Sequence, residues 1–193
     1  MKMNLRHTVA LLLLIALSIG FGFAFDAVAT AIEKNRYPQS DDLAPLVSQS
    51  ATEFGLPETV LWAFIRNESN FQSDLVSADG SIGLMQLTPE QFAYVSTEIL
   101  GEEEKSSDLL YAPTANLRYG AALVSSLYER YGVWENVYAA YFAGTDQVDL
   151  WMRDPTLLTP QGRLSEIPDP QTASYVEKMI RAVEQYNQLY YEP

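Results

Sequence analysis

Pro57-Glu58-Thr59-Val60-Leu61-Trp62-Ala63-Phe64-Ile65-Arg66-Asn67-Glu68-Ser69-Asn70 reads as a helix. The proline suits a first helical turn, where its missing N–H leaves nothing unsatisfied. Val60, Leu61, Phe64 and Ile65 recur at helical spacing and form an apolar stripe. Glu68 lies four residues past Phe64 and eight past Val60, so the helical repeat continues the stripe into a carboxylate. Desolvation there disfavours the charged form, and the negative end of the helix dipole acts the same way. A glutamate so placed keeps its proton near neutral pH and can serve as a general acid. Spacing alone leaves a second reading open, a glutamate on a fraying last turn that reaches water.

The remaining chain follows the same period. Leu43, Leu46, Val47, Ala51 and Phe54 share one helical face, with Gly55 as a stop. Thr88-Pro89-Glu90-Gln91 reads as a capping box opening a helix that ends near Gly101, and Glu102 to Glu104 as a solvated loop. Pro113 to Tyr131 is an amphipathic helix stopped by Gly132, and Trp134 to Phe142 another, stopped by Gly144. Arg153 to Pro170 holds four of the ten prolines and reads as a long irregular connection. The last helix, Gln171 to Leu189, turns Tyr175, Val176, Met179, Ile180 and Val183 inward. No strand pattern of useful length occurs. The class is all-α, with a short irregular or β-like excursion between Gln72 and Gln86.

The 193 residues suggest one domain with an N-terminal appendage, and 48% hydrophobic with 12% aromatic residues suffice for a packed core. A net charge of -13 argues against a nucleic-acid partner. Without cysteine there is no disulfide or thiol chemistry, and the single histidine, His7, lies in the appendage. A histidine triad or a clustered histidine metal site is therefore unavailable to the domain. Lys2, Arg6 and His7 precede an apolar run from Val9 to Phe25, and Ala27-Val28-Ala29 offers a small-x-small cleavage site. Residues 1–29 read as an export signal or a retained membrane anchor, 30–41 as a linker and 42–193 as the working domain. Either way the domain is expected outside the cytoplasm, in the periplasm or cell envelope, with membrane attachment if the anchor is retained.

Glu68-Ser69, then Ser77-x-x-Gly80-x-x-Gly83-Leu84-Met85-Gln86-Leu87-x-Pro89, resembles the catalytic core of soluble-type lytic transglycosylases. Asn116-Leu-x-x-Gly120, Ala139-Ala140-Tyr141-Phe142-Ala143-Gly144 and Ile167-Pro168…Thr172…Tyr175-Val176 follow that family's later motifs in order. The similarity spans about Asp42 to Tyr186. It implies a goose-type lysozyme-like α fold and cleavage of peptidoglycan glycan strands between N-acetylmuramic acid and N-acetylglucosamine, giving 1,6-anhydro-muramic acid ends. It further implies Glu68 as sole acid/base and Ser69 as support for its carboxyl. Ser77, Gly83, Met85, Gln86, Tyr141, Phe142 and Tyr175 would contact or line the sugar site. No metal or other cofactor is implied. Two positions depart from the family pattern: Phe142 stands where asparagine is usual, and Gln171 where glutamate is usual. Asp74 and Asp79 are the nearest downstream acids for a conventional second carboxylate. A hydrolytic muramidase and a non-catalytic peptidoglycan-binding scaffold are the alternative functions.

Overall fold

The computed structural model describes residues 5–191. It divides into an N-terminal unit through Pro38 and a second unit from Gln39 onward. The first is one helix, α1 (Leu5–Arg36). It carries the helix through residues 30–36, expected as linker; Ala31, Glu33 and Lys34 are strong helix formers and Arg36 pairs with Glu33 one turn back at 3.0 Å. Among the described residues no helix is long and apolar enough to cross a membrane. Lys2, part of the basic start, lies outside the described residues.

In the second unit, α2 (Ala44–Phe54) ends at Gly55, whose φ of +65° closes the helix in the left-handed region. Then comes α3 (Glu58–Glu68), in which Thr59 through Ile65 are all buried. A helix apolar on every side belongs in the middle of a fold, and α3 packs against both α2 and the C-terminal helix. Leu61, Phe64 and Ile65 are wholly inaccessible, each worth about 1.5–3 kcal/mol of transfer energy.

The expected β-like excursion consists of isolated antiparallel bridges, Val76 to Ile82 and Ile82 to Leu87. It leads into α4 (Pro89–Tyr94), whose capping box forms as the sequence requires: Gln91 N–H donates to Thr88 Oγ1 at 3.1 Å, and Thr88 N–H donates to Gln91 Oε1 at 2.9 Å. The chain continues as a wider π turn, Val95–Ile99. There the Ser96 and Thr97 hydroxyls both donate to the Ala93 carbonyl, competing with the regular ladder. A 3₁₀ turn (Ser107–Tyr111) precedes α5 (Pro113–Tyr131) and α6 (Trp134–Ala143), ended by Gly132 and Gly144 as expected.

One helix was not expected, and two expectations need correction. Gly144 is followed at once by α7 (Thr145–Met152), which buries only Val148 and Trp151. Two inward residues are too few for a visible helical period, so the sequence did not announce it. The C-terminal helix α8 (Pro170–Tyr186) buries Thr172, Val176, Met179, Ala182 and Tyr186, while Tyr175, Ile180 and Val183 stay half-buried. Glu102 lies in the expected loop but is half-buried and paired, unlike the exposed Glu103 and Glu104. It pairs with Arg118 at 2.8 Å and Lys105 at 2.5 Å and accepts from Tyr119 Oη at 2.6 Å. Those hydrogen bonds, Lys105 foremost, hold its pKa down at about 2.

Candidate active site

Glu68 is the last residue of α3, and the chain behind it is strained. Asn70 and Phe71 both take positive φ, +47° and +69°. For a residue with a Cβ each such conformation costs on the order of 1–2 kcal/mol. The turn swings the chain away immediately after the carboxylate and leaves Glu68 facing a groove of about 340 Å³. Its walls carry the hydroxyls of Ser77, Ser81 and Thr88, the amides of Gln86 and Gln91, the Asp79 carboxylate, and the rings of Tyr141 and Phe142.

Burial pushes the Glu68 carboxyl up to about 7; Tyr175, whose hydroxyl donates to Glu68 Oε1, pulls it partly back, and the Asp79 charge raises it further. Asp79 behaves oppositely. Hydrogen bonds from the Ser77 hydroxyl and from the Ser81 N–H and hydroxyl, the latter two at 3.3 and 3.0 Å, hold it below the usual carboxylate range. The groove thus presents one carboxyl poised to exchange a proton near neutrality and one that stays ionised. Asp74 is exposed and is not among the groove-lining residues.

A buried asparagine fixes the floor. Asn116, inaccessible to solvent on α5, accepts from the Met85 N–H at 2.7 Å and donates to the carbonyls of Ile82 and Leu110 at 2.8 and 2.9 Å. Gly83 must be glycine beneath it: its φ is +82°, and a Cβ would stand 2.2 Å from Asn116 Nδ2 and 2.6 Å from the Leu110 carbonyl. One turn further along α5, a Cβ on Gly120 would stand 2.4 Å from Met85 Sδ. The segment Asn116-x-x-x-Gly120 therefore seats the Gly83–Leu87 loop. Tyr141 adds a strut from the other side, donating its hydroxyl to the Met85 carbonyl at 2.5 Å while its ring packs on Phe64 at 4.5 Å.

These contacts revise three expected roles. The Met85 side chain is fully buried against Gly120, so the core holds it and not a sugar subsite. Gly83 serves the approach of Asn116 and does not line the groove. Ser69, 2% exposed, donates its hydroxyl to the Ile65 carbonyl one turn back at 3.0 Å, so the hydroxyl is engaged with the helix backbone. Ser77, Gln86, Tyr141 and Phe142 do line the groove with Glu68, and Tyr175 reaches Glu68 from α8. Gln86, at φ +49°, donates its amide to the Gly83 and Leu75 carbonyls at 2.8 and 3.1 Å.

Sequence reasoning missed Asn136. It is buried on α6, donates to the Gly162 carbonyl at 2.8 Å and accepts from the Leu164 N–H at 2.9 Å, tying down the long proline-bearing connection. Its only signal was an asparagine inside an apolar helix face. Among the described residues no group of His, Cys, Asp and Glu could hold a metal ion.

The family model for the transglycosylase SLT domain matches residues 45–157, and the chain belongs to that family. It is 32% identical over 88 residues to the membrane-bound lytic murein transglycosylase C of Yersinia enterocolitica, a match covering 45% of this chain and 25% of that protein. Among solved structures it resembles an inactive glutamate-to-glutamine variant of the lytic transglycosylase Slt from Pseudomonas aeruginosa. That match has a TM-score of 0.69 and 29% identity, and covers 80% of this chain and 25% of the other. The 70 kDa soluble lytic transglycosylase of Escherichia coli shares the fold at a TM-score of 0.73 and 22% identity, over 81% of this chain and 25% of that one. The chain thus spans about a quarter of the length of these relatives.

Proposed function

We propose that this protein is a lytic transglycosylase of the cell envelope that cleaves peptidoglycan glycan strands without water, with Glu68 as its single acid/base. The observation that carries the reading is the Glu68 carboxyl itself, half-buried at the end of α3, facing a groove and raised to about 7. At that value both protonation states are populated near neutral pH, and one group can give a proton and take one back. Protonated Glu68 donates to the glycosidic oxygen as the bond from C1 of muramic acid breaks. The resulting carboxylate accepts the proton of the C6 hydroxyl as O6 bonds to C1, closing a 1,6-anhydro ring. The proton lent in the first step returns in the second, and no other reactant enters. Tyr175 orients the carboxyl, and the ionised Asp79 supplies negative potential toward the cationic sugar that forms between the steps.

Support from relatives is of two kinds. The curated relatives act under the name murein transglycosylase, and one solved relative was made inactive by exchanging a glutamate for glutamine. Export through residues 1–29, cleaved or kept as an anchor, completes the proposal and fits a membrane-bound relative.

One observation favours a second reading. Asp79 lines the same groove and stays ionised, the arrangement a hydrolytic glycosidase uses when its second carboxylate attacks or activates water. Mass spectrometry of digested peptidoglycan tests both. The lyase reading expects anhydro-muramyl ends from the wild type and none from Glu68→Gln. Reducing muramyl ends alone would give the hydrolytic reading, and equal near-zero turnover with intact glycan binding would mark a scaffold.

A further inference from the structure

The groove does not stop at Glu68. Phe142, 46% exposed, lines it and also lines a second cavity of about 360 Å³, whose other walls are Pro170, Gln171, Ser174, Tyr175 and Lys178. Gln171, Ser174, Tyr175 and Lys178 fall at successive helical spacings along one face of α8. The Phe142 ring lies on Tyr175 with centroids 4.7 Å apart and planes 26° apart. Tyr175 is itself fixed by its hydrogen bond to Glu68, so the phenyl ring is held firmly for an exposed side chain. An exposed, backed aromatic face beside a carbohydrate groove offers the apolar surface onto which a pyranose ring packs.

Charge separates the two spaces. The Glu68 groove is lined by two carboxyl groups and no cation. The second cavity is lined by one cation, Lys178, and no carboxylate, in a chain of net charge -13. Lys178 is exposed on α8 and has no ion pair among the described residues.

We propose that this cavity is a second sugar subsite, in which Phe142 stacks a pyranose ring next to the cleaved bond while Lys178 binds a carboxylate borne by that sugar's substituent. The proposal rests on the glycan-cleaving reading and adds a directional requirement to it: an acidic substituent must lie on the α8 side of Glu68. In a glycan of alternating muramyl and glucosaminyl units only the muramyl unit meets it, through its lactyl carboxylate or through the carboxylates of an attached peptide. The subsite therefore sets which sugar occupies which side of the acid.

Binding measured on Glu68→Gln protein separates this claim from turnover. The probes are chitotetraose, which has no carboxylate, peptide-free muramyl glycan strands, which carry lactyl carboxylates, and strands with intact peptides. The expected result is that Phe142→Leu weakens all three by about 2- to 10-fold. Lys178→Gln is expected to weaken only carboxylate-bearing strands, by about 2- to 5-fold, in a manner that moderate salt abolishes. Which of the two muramyl probes responds to Lys178→Gln identifies the carboxylate as lactyl or peptide. Thermal melts check that both variants are folded. Unchanged affinity in Phe142→Leu overturns the stacking subsite. An equal effect, or none, of Lys178→Gln on all three probes overturns the carboxylate assignment, and failure of all three to bind overturns the proposal entirely. If the lyase reading alone fails, these binding differences persist while the wild type yields no anhydro product.

Discussion

Replacing Glu68 with glutamine should stabilise the protein at alkaline pH and change little at acid pH. In the unfolded chain the carboxyl ionises near 4.5, and in the folded protein near 7. Between those values the folded state keeps a proton that the unfolded state has lost, so stability falls as pH rises. Below pH 4.5 both states are protonated and the penalty is absent; above pH 7 it is complete. At about 1.36 kcal/mol per pKa unit the full interval amounts to about 3 kcal/mol, and water entering the open groove reduces the expectation to about 2–3 kcal/mol. Glutamine cannot ionise, yet its carbonyl still accepts the Tyr175 hydroxyl. The assay compares wild type and Glu68→Gln by thermal and urea unfolding at pH 4, 6 and 8. For a chain of this size the variant should melt roughly 5–10 °C higher at pH 8 and within about 2 °C of wild type at pH 4. Titrating groups that do not couple to Glu68 are common to both proteins and cancel in the difference, which leaves Glu68 with its neighbours Asp79 and Tyr175. A difference independent of pH would refute the reasoning, because it would mean that Glu68 ionises as it does in the unfolded chain.

Asp79→Asn removes a negative charge that raises Glu68, so the basic limb of the pH–rate profile should move to lower pH; asparagine can still accept the Ser81 N–H, which keeps the turn. Tyr175→Phe removes the hydrogen bond that lowers Glu68, and the same limb should move to higher pH. Opposite movements in the two profiles are the diagnostic, and a common direction would contradict the assigned causes. Asn116→Ala leaves the buried Met85 N–H and the Leu110 carbonyl without partners and takes one of two donors from the Ile82 carbonyl, which keeps the Leu87 N–H, and denaturant titration should show a loss of about 3 kcal/mol. Gly83→Ala meets both a positive φ and a contact of 2.2 Å with Asn116, so it should cost at least as much, whereas Gly80→Ala has open space and should lose only the backbone term, about 1–2 kcal/mol.

The sequence made some parts of this plain and hid others, for identifiable reasons. Strong local chemistry was visible: the Thr88 capping box, the glycine stops at Gly55, Gly132 and Gly144, and the apolar repeat that carried Glu68 inward. Side-chain orientation across elements was not. Met85 and Gly83 sit in a motif with groove-lining Gln86, but only the fold shows that they face Asn116 and Gly120. Glu102 stands in an acidic run that reads as solvated, and the cations that neutralise it come from Lys105 in the same loop and from Arg118 on α5. The Phe142–Tyr175 stack joins α6 to α8, and no spacing rule relates residues 33 positions apart in this way.

The central claim is that Glu68 cleaves the glycan by closing the sugar on itself, and digestion of peptidoglycan in water enriched in heavy oxygen tests it most directly. The account predicts muramyl products in the anhydro form that carry no label from solvent, and no products from Glu68→Gln. Labelled reducing ends in the wild-type digest, or undiminished cleavage by the glutamine variant, would contradict it.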